Sequence, residues 1–127
     1  MLDRIGILQM ARQLAEHSAA RQSVVARNIA HADTPGYRQQ DIPDFSEIYR
    51  SAGTGMRATR SGHVNHTETG GRGKPFVVDG GPVAPNGNTV SLEDQILESA
   101  EIQQKHDMAL AIYRSGLGVL RASLGRR

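Results

Sequence analysis

Cysteine and tryptophan are absent from this chain of 127 residues, phenylalanine occurs twice and tyrosine three times. Without cysteine there is no disulfide, no thiol nucleophile and no cysteine-bound metal. With so few large aromatic rings, the core that one domain of this length can bury is thin. No apolar run reaches the length of a membrane span, and the first residues lack the order of a cleavable signal peptide. The expectation is a chain that is not membrane-inserted and that stays in the cytosol or leaves by a route that does not cleave it. One-sided charge is also missing: Lys and Arg exceed Asp and Glu by only two, so a nucleic-acid partner is permitted but not demanded.

What the sequence does have is helical spacing at both ends. Over residues 3–32, Leu8, Ala11, Ala15, Ser18, Gln22, Val25, Ile29 and Ala32 step by threes and fours, which keeps them on one seam. Asp3 is placed to cap the start, and Pro35 forces an end near Ala32. Thr34-Pro35-Gly36-Tyr37 reads as a turn, with Pro35 presetting φ and Gly36 taking a positive φ. Within 33–50, Asp44-Phe45-Ser46-Glu47 has capping-box form and opens a short helix with Phe45, Ile48 and Tyr49 on one face.

Residues 51–90 change character, and 9 of the 14 glycines and 3 of the 5 prolines lie between Ser51 and Asn88. The expectation there is a flexible or extended middle segment, with Phe76-Val77-Val78 as a short strand and Asn86-Gly87 as a turn. Residues 91–125 return to helix from a Ser91 cap. Their seam runs Ile96, Ser99, Gln103, His106, Leu110, Tyr113, Leu117, Leu120, Leu124. The predicted fold is mainly α: two long terminal helices packed as an antiparallel coiled-coil hairpin around a Gly/Pro-rich irregular middle, in a single domain. Polar residues interrupt both seams, while Val24, Ile102, Ala109, Ile112 and Val119 fall off them. Gly116 and Gly118 each cost about 1 kcal/mol inside a helix, which marks a close backbone approach. The helices are thus expected to finish their burial against neighbouring subunits.

No chemistry stands out. His63 and His66 form an H-x-x-H pair without further ligands at a recognisable spacing, so solvated loop histidines are the better reading. "GGRGKP" at 70–75 lacks the phosphate-loop spacing and has Pro75 where Ser or Thr belongs. No catalytic grouping, cofactor site or metal site is expected. Two other readings remain: a basic nucleic-acid-binding module using Arg50, Arg57, Arg60, Arg72 and Lys74, which lacks interleaved aromatics, and a soluble coiled-coil adaptor.

"NIAHADTPGYR" at 28–38, following a long helix, closely resembles the N-terminal signature of the flagellar rod and hook axial proteins. The residues that carry it are Asn28, Ile29, Ala30, Ala32, Asp33, Thr34, Pro35, Gly36 and Tyr37; His31 stands where asparagine is usual and Arg27 where alanine is frequent. "GNTVSLEDQ" at 87–95, and the lack of a large inserted domain, resemble the proximal-rod branch of that family. The resemblance implies a structural subunit without catalysis, exported unfolded through the flagellar type III apparatus and polymerised through its terminal helices in the periplasmic rod. Partners implied are the chain itself, other rod subunits, and basal-body ring and export-gate base components. Phe45 to Tyr49 is similar to the export-gate motif of these proteins; a core-facing helical turn is the equal alternative. Packing and assembly are expected to use Leu8, Val25, Ile29, Ile96, Leu110, Tyr113, Leu117, Leu120 and Leu124.

Overall fold

The computed structural model describes residues 2–54 and 73–125. Helix α1 (Leu2–Ala30) leads through an irregular corner to a two-residue strand β1 (Gln40–Asp41) and a short helix α2 (Phe45–Thr54). A second two-residue strand, β2 (Phe76–Val77), precedes helix α3 (Leu92–Leu124). The strands pair antiparallel, Gln40 with Val77 and Asp41 with Phe76.

The fold is mainly helical, with α1 and α3 packed along each other. Their direction follows from three pairings. Asn28 meets Gln95 and Gln22 meets Ser99. Leu8 lies where a side chain on Gly116 would stand. As one number falls the other rises, so the pair is antiparallel, with a closed end at the corner and an open end beyond Leu8. At about 1.5 Å per residue, α3 is roughly 50 Å long.

Each long helix is stopped or started by chemistry visible locally. Ser91 is the N-cap of α3 and accepts from the Asp94 N–H, while Glu93 and Asp94 occupy the first turn. At the end of α1, the Thr34-to-Tyr37 turn is closed by the Tyr37 N–H on the Thr34 carbonyl at 3.3 Å, and Gly36 takes φ 72°. That value suits glycine because it has no Cβ to clash.

The seam of α3 departs from the expected register. Ile102 and Ala109 are fully enclosed and Gln95 is completely buried, whereas Ile96 is 57% exposed. The seam therefore runs Gln95, Ser99, Ile102, His106, Ala109, Tyr113, Gly116, Leu120, and every second position is one residue earlier than the most apolar column. On α1, Val24 and Val25 are buried together, as is Asn28, while Ile29 stands at the surface. Val24, Ile102 and Ala109 are thus core rather than partly exposed. Ile102 and Ala109 lie on the seam itself, and α1 has a second packed flank where β1 and Phe45 lie against it. Gly116 belongs to the seam: a Cβ there would come within 2.6 Å of Leu8, so its absence lets the helices close up at the open end. Gly118 faces open space.

Candidate interaction site

The corner is held by two asparagines. Asn28, in the last turn of α1, is 1% exposed and uses its whole amide. Its Nδ2 donates to the Gln40 carbonyl at 2.7 Å and to Gln95 Oε1 at 2.9 Å. Its Oδ1 accepts from the Gln40 N–H at 3.1 Å and the Tyr37 hydroxyl at 3.2 Å. One side chain thus ties α1, the exit of the turn, β1 and α3 together. A buried amide with every group satisfied adds geometric definition at little desolvation cost.

Asn88 performs the complementary task from the far side. Its Nδ2 lies 2.8–2.9 Å from the carbonyls of His31, Ala32 and Thr34, which follow the last turn of α1. Its Oδ1 accepts from the Val90 N–H at 2.8 Å. A residue remote in sequence thus supplies donors to backbone carbonyls of the corner just beyond α1. Backbone bonds continue the contact: Gly36 N–H to the Asn86 carbonyl at 3.0 Å and Thr89 N–H to the Tyr37 carbonyl at 3.1 Å. The two stretches quoted above, 28–38 and 87–95, are therefore neighbours in space. His31 stacks its ring on Tyr37 at 4.7 Å and places Nδ1 3.1 Å from the Thr34 hydroxyl.

Next to the corner, Arg21 gathers three carboxylates. It meets Asp41 through Nε and Nη2, both at 2.9 Å, Asp44 at 3.2 Å, and Glu98 on α3. Burial alone would lower the Arg21 pKa, but the hydrogen bonds and charges of Asp41, Glu98 and Asp44 outweigh it and hold it above its ordinary value. Burial, and then the charge of Asp41, hold Glu98 above its own ordinary value against the pull of Arg21. The clamp links α1, β1 and α3. Asp44 also lends its carbonyl to the Glu47 and Ile48 N–H groups, starting α2.

The remaining sequence-selected residues divide between seam and surface. Leu8, Leu110, Tyr113, Leu117 and Leu120 are half-buried, Val25 is buried, and Ile29, Ile96 and Leu124 are exposed. Ala30, Asp33, Thr34, Pro35 and Gly36 lie at the surface of the corner, with Ala32 and Tyr37 half-buried. Phe45 packs between His17, at 5.7 Å, and Tyr49, at 5.6 Å, and Tyr49 is exposed. Near the open end, Ile7, Ala111, Ile112, Ser115, Gly116 and Val119 line an apolar groove of about 490 Å³.

Sequence reasoning missed Gln95, Asn88 and Arg21, polar residues that look like surface positions one at a time. For Asn88 and Gln95 the one available signal was their place inside the second resembling stretch. His63, His66, Arg57, Arg60, Arg72 and most of "GGRGKP" lie outside the described residues. Among the described residues no helix is long and apolar enough to cross a membrane, and no three His, Asp or Glu side chains are grouped to hold a metal.

No protein-family model matches the chain. Among curated proteins it is similar to the flagellar basal body rod protein FlgB of Cereibacter sphaeroides, 33% identical over 113 residues that span 87% of this chain and 84% of that one. It is 31% identical over 129 residues to the FlgB of Salmonella typhimurium, spanning 92% of each. With the FlgB of Agrobacterium fabrum it shares 27% identity over 119 residues, 87% of each.

Proposed function

The chain belongs to the FlgB family of flagellar basal-body rod proteins, and from that premise we propose that it is a structural subunit of the proximal rod, exported unfolded by the flagellar type III apparatus and polymerised through its terminal helices. Its role is to hold a shape, without catalysis, in the periplasmic rod. Its partners are copies of itself, other rod subunits, and the ring and export-gate base components at the foot of the basal body.

The observation that carries this reading is the corner. In a polymer every subunit repeats the same exit angle, so an error there is multiplied along the assembly. Asn28 and Asn88 fix that angle with eight hydrogen bonds, counting both side chains. A core of this kind gives an isolated subunit little stability to resist unfolding for transport, and the exposed apolar positions on α1 and α3 are buried only when neighbours arrive.

Export is assigned to Phe45 and Tyr49, which the native fold packs on each other, with Phe45 also against His17. An unfolded chain presents them freely. Replacement of the chromosomal copy by a tagged chain, followed by isolation of basal bodies, tests the whole reading: the chain is expected in the rod fraction. A motile strain lacking the chain, with intact rods, would sink it. Phe45→Ala is expected to reduce secretion of the chain; unchanged secretion would remove the export role of this turn and leave the rod role standing.

A further inference from the structure

The turn that meets the corner from the far side is Ala84-Pro85-Asn86-Gly87. Pro85 presets φ at its second position, and the Gly87 N–H closes it on the Ala84 carbonyl at 2.8 Å. Gly87 takes φ 81° and lies against Gly36, whose Cα would stand 3.5 Å from an added Cβ. Such a dihedral angle calls for glycine. Asn86 has two tasks: its carbonyl receives the Gly36 N–H at 3.0 Å, and its Oδ1 accepts from the Asn88 N–H at 3.1 Å, which orients Asn88 toward the corner. The shape of the turn thus selects an Asn–Gly sequence. This is the only Asn–Gly pair in the chain, and Asn86 is exposed.

An Asn–Gly pair can react with itself. Once the Gly87 nitrogen has given its proton to hydroxide, it attacks Asn86 Cγ, forming a C–N bond that closes a succinimide ring. The Cγ–Nδ2 bond breaks, and Nδ2 leaves as ammonia after taking a proton from water. Water then opens the ring at one of its two carbonyls, leaving aspartate or isoaspartate. The balance is amide plus water giving carboxylic acid plus ammonia, with nothing oxidised or reduced. Glycine favours the attack because no side chain shields its nitrogen.

The closed corner ties down the atoms that must move. The Gly87 N–H is spent on the Ala84 carbonyl, so losing its proton forfeits that bond and sets an anionic nitrogen against a carbonyl oxygen. The Ala84 N–H donates back to the Asn88 carbonyl at 2.8 Å, and Asn88 is itself anchored on His31, Ala32 and Thr34. An unfolded chain has none of these restraints. We propose that Asn86–Gly87 is a deamidation site protected by closure of the corner, so that a chain kept unfolded ages at the turn on which its fold depends. In the isoaspartyl product the main chain runs through Cβ and Cγ of residue 86 and is one atom longer, which moves the partners of Gly36 and Asn88 out of register. The aspartyl product keeps the backbone and an acceptor for the Asn88 N–H. None of this chemistry depends on the rod reading.

The full chain is held at mildly alkaline pH in sulfate, which favours the folded state, and in guanidinium; a free peptide of residues 82–90 in the same buffers gives the unprotected rate. Mass-spectrometric peptide mapping follows the mass gain at residue 86. That gain separates it from Asp79–Gly80, where cyclisation loses a water and ring opening returns it. The chain in guanidinium is expected to convert as fast as the peptide. In sulfate it is expected to convert at least about tenfold more slowly than the peptide, because reaction through a rarely opened turn scales with the opened fraction. Asn86→Ser, which keeps an acceptor for the Asn88 N–H, is expected to abolish the conversion. The isoaspartyl chain, separated by chromatography, is expected to unfold at lower urea than the unmodified chain, with Asn86→Asp close to the unmodified value. Equal rates for chain and peptide in sulfate, no mass gain at residue 86 in guanidinium, or an isoaspartyl chain as stable as the unmodified one would each overturn the proposal.

Discussion

Asn28 concentrates more of the structure in one side chain than any apolar residue does. Both its amide groups are spent on partners in three other segments, so shortening it leaves buried donors and acceptors unpaired rather than a simple gap. Asn28→Ala is expected to destabilise the chain by about 2–4 kcal/mol, since each orphaned buried group costs roughly 1–3 kcal/mol. Urea unfolding measures this directly, and a loss within about 0.5 kcal/mol, the range of ordinary surface changes, would mean the network is dispensable. Asn28→Asp separates the two halves of the amide: it keeps the acceptor toward Tyr37 and Gln40 N–H and removes both donors. Gly36→Val acts differently, because no atom lies within 4 Å of the missing Cβ and the penalty is wholly conformational. A β-branched residue at φ 72° is expected to disturb the turn and lower assembly while α1 still forms, measurable as retained helicity with lost rod incorporation.

At the scale of elements, the seam decides which apolar residues stabilise the subunit itself. Ile102→Ala is expected to cost about 2–4 kcal/mol, as a large-to-small change in a filled core does. Ile96→Ala, on an exposed position, is expected to stay within about 0.5 kcal/mol in the unassembled chain. Equal losses at the two sites would refute the register described here. The helix pair, the turn at Thr34–Tyr37 and the Ser91 cap were legible in the sequence, because each rests on local chemistry within four residues. The seam register was not, and the reason is specific: Gln95, Ala109 and Gly116 occupy core positions where a pattern search prefers Ile96, Leu110 and Leu117. Small and polar residues suit a seam in which Gln95 has a partner in Asn28 and Gly116 has one in Leu8, and neither partner is visible from α3 alone. The Arg21 clamp adds a pH dependence. Burial and Asp41 hold Glu98 above its ordinary 4.5 in the folded chain, so folding favours its protonated form. Its contribution is then fully present below the unfolded value and is lost as pH rises through the folded one. Glu98→Gln, uncharged throughout, is expected to flatten that decline in urea midpoints measured from mildly acidic to neutral pH. A variant that loses stability most at neutral pH would show that the Arg21 attraction dominates instead.

Taken whole, the hairpin has an unusual interior: among the described residues, six buried apolar side chains lie beside five buried polar ones. Hydrophobic burial scales with apolar area, so a core divided in this way contributes less than its residue count suggests, while the polar half supplies definition of shape. Apolar side chains are meanwhile left outside along both long helices, among them Ile5, Ile7, Ile96, Leu97 and Leu124. On the rod reading proposed above neighbouring subunits cover them, and any partner that binds only the folded hairpin raises its stability by mass action. The isolated chain is therefore expected to be marginal, with helicity and melting temperature that rise together as protein concentration is raised over about a hundredfold range. Circular dichroism at 222 nm across that series, paired with sedimentation, reads both quantities on one sample. The coupling also has a direction: Ile102→Ala should lower the melt at every concentration, because it weakens the subunit, whereas Ile96→Ala should lower it only where association occurs. A chain that melts cooperatively, with full helicity and at one temperature throughout the series, would show that the hairpin is self-sufficient and that its exposed faces contribute nothing to folding.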